Sequence, residues 1–181
     1  MSIYFGADST VIHSANGLGD GKVLQVQSTI KRDVASYSLG SSGTSMSYSS
    51  QILSVNITPS NSNNKILITG FLTVSTSPPD RINIRILKGN SELSNASATA
   101  NGSHRRTGHA NVHAHDYQSM STPINFLDTA GSTSQLTYGV NAAQGSGSTG
   151  TITVNRQNDG FSDEANRFLG TSVITVMEIA V

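Results

Sequence analysis

The sequence predicts an all-β fold, specifically an antiparallel jelly-roll sandwich. Apolar and polar residues alternate with a period of two along much of the chain, which is the pattern of half-buried strands. Turns rich in Gly, Pro, Asn and Asp separate these stretches, and no window shows a 3.6-residue apolar period with capping residues. At 181 residues, with 35% hydrophobic and 12% charged residues, the chain fits one domain with a mostly uncharged polar surface.

Seven strands are predicted from this alternation. They span residues 22–30, 51–58, 65–76, 81–88, 135–142, 149–156 and 171–180. Seven or more strands at this spacing, joined by polar turns, are typical of a sandwich, and we expect a jelly roll at this length. We place the jelly-roll domain at residues 22–181 and a separate N-terminal segment at residues 1–21.

Two of these strands carry apolar residues on both faces. In residues 65–76 the two faces consist of Ile66, Ile68, Leu72 and Val74, and of Leu67 and Phe71. In the last strand they consist of Val173, Met177 and Ile179, and of Ile174, Val176 and Ala180. A two-layer sandwich buries one face of each strand, so the second face predicts a subunit interface or, alternatively, a central strand beneath a loop. Residues 81–88 instead predict one face of isoleucines and one face in water.

Composition excludes several classes of function. Eleven basic and eleven acidic residues cancel, and no basic run exceeds a pair, so the chain lacks the electrostatic signature of nucleic-acid binding. The absence of cysteine excludes a disulfide framework and a zinc ribbon. No segment has the length and apolar content of a signal peptide or a membrane span, so we expect no membrane insertion.

Several ordered blocks of the sequence resemble a module of tailed-bacteriophage virion proteins that recurs at the tips of tail fibres. The blocks are "GKVLQVQST", "ITPSNSNNKILITGFLTVS", "INIRILKGNSEL", "INFLDTAGSTSQLTYGV" and "NRQNDGFSDEANRFLGTSVITVMEIAV". The resemblance implies a homotrimeric jelly roll similar to tumour-necrosis-factor and complement-type heads. It also implies a location on the surface of the virion, in contact with other tail or capsid proteins. A shared interface around a threefold axis would account for the second apolar faces.

The N-terminal segment is the candidate for attachment to the virion. Fibre tips of this kind usually follow a long shaft, whereas only about twenty residues precede the module, with no coiled-coil or collagen repeat. Ile3, Tyr4 and Phe5 are apolar anchors suited to a groove or sheet edge of a partner. The alternative is a poorly ordered terminus.

Three histidines fall within seven residues, at His109, His113 and His115. If residues 108–117 form a strand, the three share one face, but neighbours on a face lie about 7 Å apart, too far for one chain to chelate an ion with two of them. Around the threefold axis that the resemblance implies, His113 and His115 of three chains would supply six imidazoles to a transition metal ion. The alternative is a polar face in contact with water.

The same region is the candidate for recognition of a host surface glycan. Residues 95–121 contain few large apolar side chains but many hydrogen-bonding and stacking groups, and exposed loops of a rigid sandwich often carry binding sites. The candidate residues are Arg105, Arg106, His109, Asp116 and Tyr117. A variable loop without a ligand is the alternative.

Catalysis is not expected, because the sequence contains no nucleophile elbow and no carboxylate spacing typical of a hydrolase or calcium loop. Together with the resemblance to the phage module, which implies a virion surface protein, this leads us to expect a non-enzymatic short tail fibre or tip that binds a host receptor. Two alternatives stay open: a decoration protein that stabilises the capsid, and a bacterial lectin-like domain outside any virus.

Overall fold

Eleven β-strands and one short 3-10 turn make up the described part of the chain in the computed structural model. The described residues are 21–39, 46–78, 80–99, 109–114, 118–144, 149–157 and 169–181. The strands are β1 (Val23–Lys31), β2 (Ala35–Leu39), β3 (Leu53–Ile57), β4 (Lys65–Ser77), β5 (Asp80–Lys88), β6 (Ser91–Glu92), β7 (Ala110–Ala114), β8 (Met120–Thr129), β9 (Leu136–Gln144), β10 (Gly150–Val154) and β11 (Ser172–Ile179); the 3-10 turn is Ser94–Ala96. The all-β prediction is confirmed. No helix among these residues has the length and apolar character needed to cross a bilayer.

The first sheet contains β1, β11, β4, β10, β2 and β8, and all its described pairings are antiparallel. Val74 of β4 pairs with Met120 of β8 and also with Val154 of β10. Strands β10 and β11 therefore follow one another along one edge of β4, while β8 occupies the other edge. Around β11, the strands lie side by side in the order β1, β11, β4, β8.

The second sheet contains β3, β9, β5 and β6 in that order, with β7 also paired to β5, and it is antiparallel as well. Successive strands lie in different sheets at β2–β3, β3–β4, β4–β5, β7–β8, β8–β9 and β9–β10. This repeated crossing produces the two-layer jelly-roll sandwich that the sequence predicts.

The core lies between the two sheets and consists of the inward faces of their strands. The first sheet contributes Ile66, Ile68, Leu72, Val74, Ile124, Ile174 and Val176, and the second contributes Ile82, Ile84, Ile86, Tyr138, Val140 and Ala142, all essentially inaccessible to solvent. The period-two prediction of the inward faces of β4, β5 and β11 is therefore confirmed.

The strand prediction needs two corrections. First, β2, β6, β7 and β8 were not among the seven predicted strands, although a strand at residues 108–117 was considered; β8 contains Pro123, which weakens a strand pattern. Second, the outward face of β5 is not simply wet. Asn83 on that face is buried, and the Arg85 guanidinium stacks 3.4 Å from the centre of the Tyr48 ring. The segment before β3 covers this face through Tyr48 and through Met46, whose sulfur accepts from Asn83 Nδ2 at 3.1 Å. Backbone hydrogen bonds from Ser49 and Ile52 to β9 hold the segment in place.

Gly70 allows β4 and β11 to approach closely. Its φ is +154°, and a Cβ at this position would collide with the backbone carbonyl oxygen of Val173 on β11. Glycine avoids both the strained backbone and the collision. The absence of a side chain at Gly70 thus permits the close pairing of the two central strands of the first sheet.

Candidate functional site

The outward surface of β1, β11, β4 and β8 is the most distinctive feature of the described structure. Residues paired across neighbouring strands share a face, so the strand registers define rows on this surface. Two rows are apolar: Ile30, Val173, Phe71 and Pro123, and Val26, Met177, Leu67 and Leu127. We call the surface formed by these strands the assembly face.

The assembly face is exposed although much of it is apolar. Val26, Ile30 and Leu127 are 51%, 53% and 51% exposed, and Val23 at the end of the face is 46% exposed. Four strands spaced about 4.8 Å apart, with four rows about 7 Å apart, give a projected area on the order of 500 Å². This area includes polar positions, and it is comparable with the largest apolar patch of a typical monomer, which is often functional, so the face is a candidate for protein contact.

The assembly face also carries almost no charge. Among its described strand residues, Lys65 at the end of β4 is the only one with a charged side chain, and its Nζ donates to Thr129 Oγ1 at 2.8 Å. The second apolar faces predicted for β4 and β11 therefore meet on one surface. The sequence alone did not show that β1 and β8 extend this surface on either side.

A buried carboxylate fixes one end of β11 behind the assembly face. Glu178 is 1% exposed and accepts hydrogen bonds from Asn64 Nδ2 (2.6 Å), from the Ser60 backbone N–H and hydroxyl (both 2.7 Å), and from Gln25 Nε2 (2.6 Å). Burial by itself would raise the pKa of Glu178, but these hydrogen bonds outweigh it and lower the pKa to about 2. The carboxylate thus anchors the β3–β4 turn to β1 and β11.

A second polar cluster ties β5, β8 and β9 together. Lys88 Nζ lies 2.7 Å from Asp128 Oδ2 and also donates to the Thr129 and Ala130 carbonyl oxygens. The Tyr138 hydroxyl donates to the same Asp128 oxygen at 2.8 Å. Burial, together with the neighbouring Asp128 carboxylate, raises the pKa of Tyr138. Because every charged group in the cluster has a partner, we interpret it as structural.

Of the five predicted receptor-binding residues, His109 is the one that the structure describes. Its Nδ1 donates to the Ala96 carbonyl oxygen at 3.2 Å, since a carbonyl can only accept, and its Nε2 accepts the Asn125 backbone N–H at 3.2 Å. His109 therefore links the 3-10 turn to the outer edge of β8, and both ring nitrogens are engaged within the chain. A role for His109 in receptor binding stays a prediction.

The other predicted site residues lie outside the part of the chain whose side chains are described. For Arg105, Arg106, His115, Asp116 and Tyr117, and for Ile3, Tyr4 and Phe5, the predictions stand untested. His113 lies in β7, where its backbone pairs with that of Arg81, which agrees with a strand in this region. Within the described residues, no three His, Cys, Asp or Glu side chains form a group that could hold a metal ion.

One end of the sandwich carries an uncharged hollow of about 500 Å³. The ends of β2, β4 and β10 line it, together with the adjoining residues, through Ser38, Leu39, Ser77, Pro78, Thr149, Gly150 and Thr151. Hydroxyl groups beside a proline ring and a leucine suit a neutral polar ligand better than a charged one. The sequence analysis did not identify this hollow, because its residues come from three distant strands.

Comparison with known proteins yields no family assignment. No protein-family model matches the chain, and no curated protein matches its sequence. Two chains from solved structures of infectious bursal disease virus show partial structural similarity. For the Gt strain the TM-score is 0.46 at 13% identity, covering 91% of this chain and 39% of the viral chain. For the Gx strain it is 0.42 at 12% identity, covering 100% and 43%. This chain thus spans less than half of each viral chain, and at these TM-scores no function carries over.

Proposed function

We propose that this chain is a non-enzymatic structural protein of a bacteriophage particle and that it works as a homotrimer held together by the assembly face. The observation that carries the proposal is the exposed, apolar and nearly uncharged surface of β1, β11, β4 and β8. A face with so little charge can meet the same face of another copy without like-charge repulsion. A second copy is therefore the occupant we propose.

The size of the assembly face agrees with this occupant. A standard interface buries about 800 Å² on each partner, and a projected area on the order of 500 Å² becomes larger once side-chain relief is included. A closed ring of copies buries such a face without leaving an open end for further growth. The trimer in particular rests on the resemblance to tail-fibre tips.

Four of the five sequence blocks that resemble the phage module contain parts of the strands of this face. "GKVLQVQST" contains most of β1, "ITPSNSNNKILITGFLTVS" contains the anchored turn and most of β4, and the closing block contains β11. "INFLDTAGSTSQLTYGV" contains the part of β8 that carries Leu127. The block "INIRILKGNSEL" lies in β5 and β6 of the second sheet, so the resemblance covers both sheets and includes every strand of the proposed interface, which supports a role in an assembled particle.

Within the virion we propose a short tail fibre or tip that binds a host surface glycan. The uncharged hollow at one end of the sandwich supports this role, because its hydroxyl groups can form hydrogen bonds with a neutral sugar and its proline and leucine offer an apolar surface to the sugar ring. The alternative is a decoration protein on the capsid, which the assembly face would serve equally well. In both cases we propose that residues 1–21 attach the trimer to the particle.

Introducing a charge into the apolar rows tests the assembly. Val26→Glu and Leu127→Glu should each convert the oligomer to monomer, because a carboxylate would be buried without a partner. The measurement is native mass spectrometry together with light scattering on the eluting protein. Leu169→Glu is the matched control, since Leu169 is apolar and 71% exposed but lies outside the assembly face. A wild-type protein that is monomeric at high concentration, or a control that dissociates equally, would contradict the proposal.

Location on the particle separates the two virion roles. Phage particles purified by density gradient should contain this chain, and immunogold electron microscopy should show whether the label lies on the tail or on the head. Label on the tail supports adsorption, and label distributed over the head supports decoration. Absence of the chain from purified particles would overturn the virion assignment and leave the lectin-like alternative.

A further inference from the structure

A row of polar residues crosses the middle of the assembly face. The strand registers place it between the two apolar rows, and it consists of Ser28, Thr175, Thr69 and Asn125 on β1, β11, β4 and β8 respectively. Each strand contributes one hydroxyl or amide at the same height. The face is therefore not uniformly apolar but consists of two apolar rows separated by one polar row.

The two halves of this row differ in how their hydrogen bonds are satisfied. Ser28 Oγ and Thr175 Oγ1 lie 2.9 Å apart and bond to each other. Within the described part of the chain, the Thr69 hydroxyl and the Asn125 side-chain amide have no hydrogen-bond partner. The Asn125 side chain is exposed, while its backbone N–H is held by His109 Nε2. Strand β8 is thus fixed in position at Asn125, while the side-chain amide of Asn125 stays available to bond to another copy.

We infer that this polar row determines which arrangement the copies adopt when their assembly faces meet. The inference rests on the proposed function and names the specificity element of the same surface. An amide that loses water on assembly must find another hydrogen-bonding group, because an unpaired buried polar group is costly. On a neighbouring copy, the same row is the source of such groups nearest the centre of the face.

The polar row makes this choice together with the apolar rows on either side of it. A neighbour shifted by one row, a distance of about 7 Å, would place the apolar rows of one copy against rows of the other copy that contain polar groups. The same shift would place the Asn125 amide against Leu127 or Phe71 of the other copy and leave it unpaired. The polar row therefore penalises shifted arrangements, as a single buried asparagine does in a coiled coil.

The test replaces the amide without reducing apolar contact. Asn125→Leu should still associate, because it adds apolar surface, but it should lose the single stoichiometry of the wild type and populate at least two assemblies. Native mass spectrometry over a range of concentrations measures this distribution. Asn56→Leu is the control for an exposed Asn→Leu change outside the assembly face, since Asn56 lies on β3 of the other sheet, where its Oδ1 accepts from the Thr137 hydroxyl, and this variant should keep one stoichiometry. Thr69→Val is the second variant if Asn125→Leu does not fold.

The possible outcomes separate this inference from the proposed function. If Asn125→Leu keeps the wild-type stoichiometry, or if it no longer associates, the row does not choose the arrangement and the inference is overturned, while wild-type assembly stands. If the wild type itself is monomeric and Val26→Glu changes nothing, the proposed function fails first, and the inference fails with it.

Discussion

Acid should destabilise this protein through one buried carboxylate, Glu178. The ordinary pKa of a glutamate is 4.5, and the hydrogen bonds from Gln25, Asn64 and Ser60 lower the pKa of Glu178 in the folded state to about 2. Above about pH 5.5 the carboxylate is ionised in both states, so the stabilisation is fully present. As the pH falls below 4.5, the unfolded chain binds a proton before the folded chain does, and stability is lost until the pH reaches about 2.

The magnitude follows from the same two values. One pKa unit corresponds to about 1.4 kcal/mol, so the difference between 4.5 and about 2 amounts to about 3 kcal/mol. The free energy of unfolding of an ordinary domain is about 5–15 kcal/mol, so this single group supplies a substantial part of the stability. Glu178→Gln should lose about 2–4 kcal/mol at pH 7, because its NH₂ group faces side chains that already donate.

Urea unfolding followed by circular dichroism, at one fixed protein concentration, measures these differences. Between pH 5.5 and pH 2.5 the wild type should lose more stability than Glu178→Gln, and the excess should approach about 3 kcal/mol. Asp33→Asn is the control. Its carboxylate also has a lowered pKa, through the hydrogen bond from Lys31, but it is exposed and screened by water, so its removal should have little effect. Equal pH dependence in the wild type and in Glu178→Gln would refute the reasoning.

Two further substitutions test how the strands of the assembly face are held. Gly70→Ala should lose at least about 2 kcal/mol, because its methyl group meets the carbonyl of Val173. Gly89 also has a positive φ, but the space around it is open. Comparing Gly89→Ala with Gly70→Ala by thermal denaturation therefore separates the effect of the collision from that of backbone strain. His109→Ala should lower the free energy of unfolding by about 1–3 kcal/mol. It should also speed hydrogen exchange at the backbone N–H of Asn125, because the substitution removes the acceptor of that N–H. An unchanged exchange rate would mean that this hydrogen bond does not hold the edge of β8.

The sequence predicted several faces correctly because a strand alternates its side chains whatever its neighbours are. Leu67 and Phe71 lie on the outward face of β4, and Val173, Met177 and Ile179 lie on the outward face of β11, as their spacing indicates. The spacing of apolar residues within a strand is therefore enough to predict its two faces. It does not state which strands pair, so it could not show that both outward faces form one surface.

The sequence analysis missed Glu178 and β8 for related reasons. A glutamate within an apolar strand looks like a residue turned towards water, and its burial depends on Ser60 and Asn64, which lie more than a hundred positions earlier in the chain. In β8, Pro123 and the exposed polar residues obscure the alternation, and the strand becomes evident through its ten paired positions along β4. In both cases the decisive partner is distant in sequence.

The sequence by itself determined the all-β class, the low charge of the surface and the two-faced apolar character of β4 and β11. These properties depend on composition and on the local geometry of an extended chain. The tertiary structure alone decided that β1, β11, β4 and β8 lie side by side, that their exposed residues align in rows, and that one of those rows is polar. Strand order and register depend on contacts between residues that are distant in sequence, and these contacts form only when the whole chain folds.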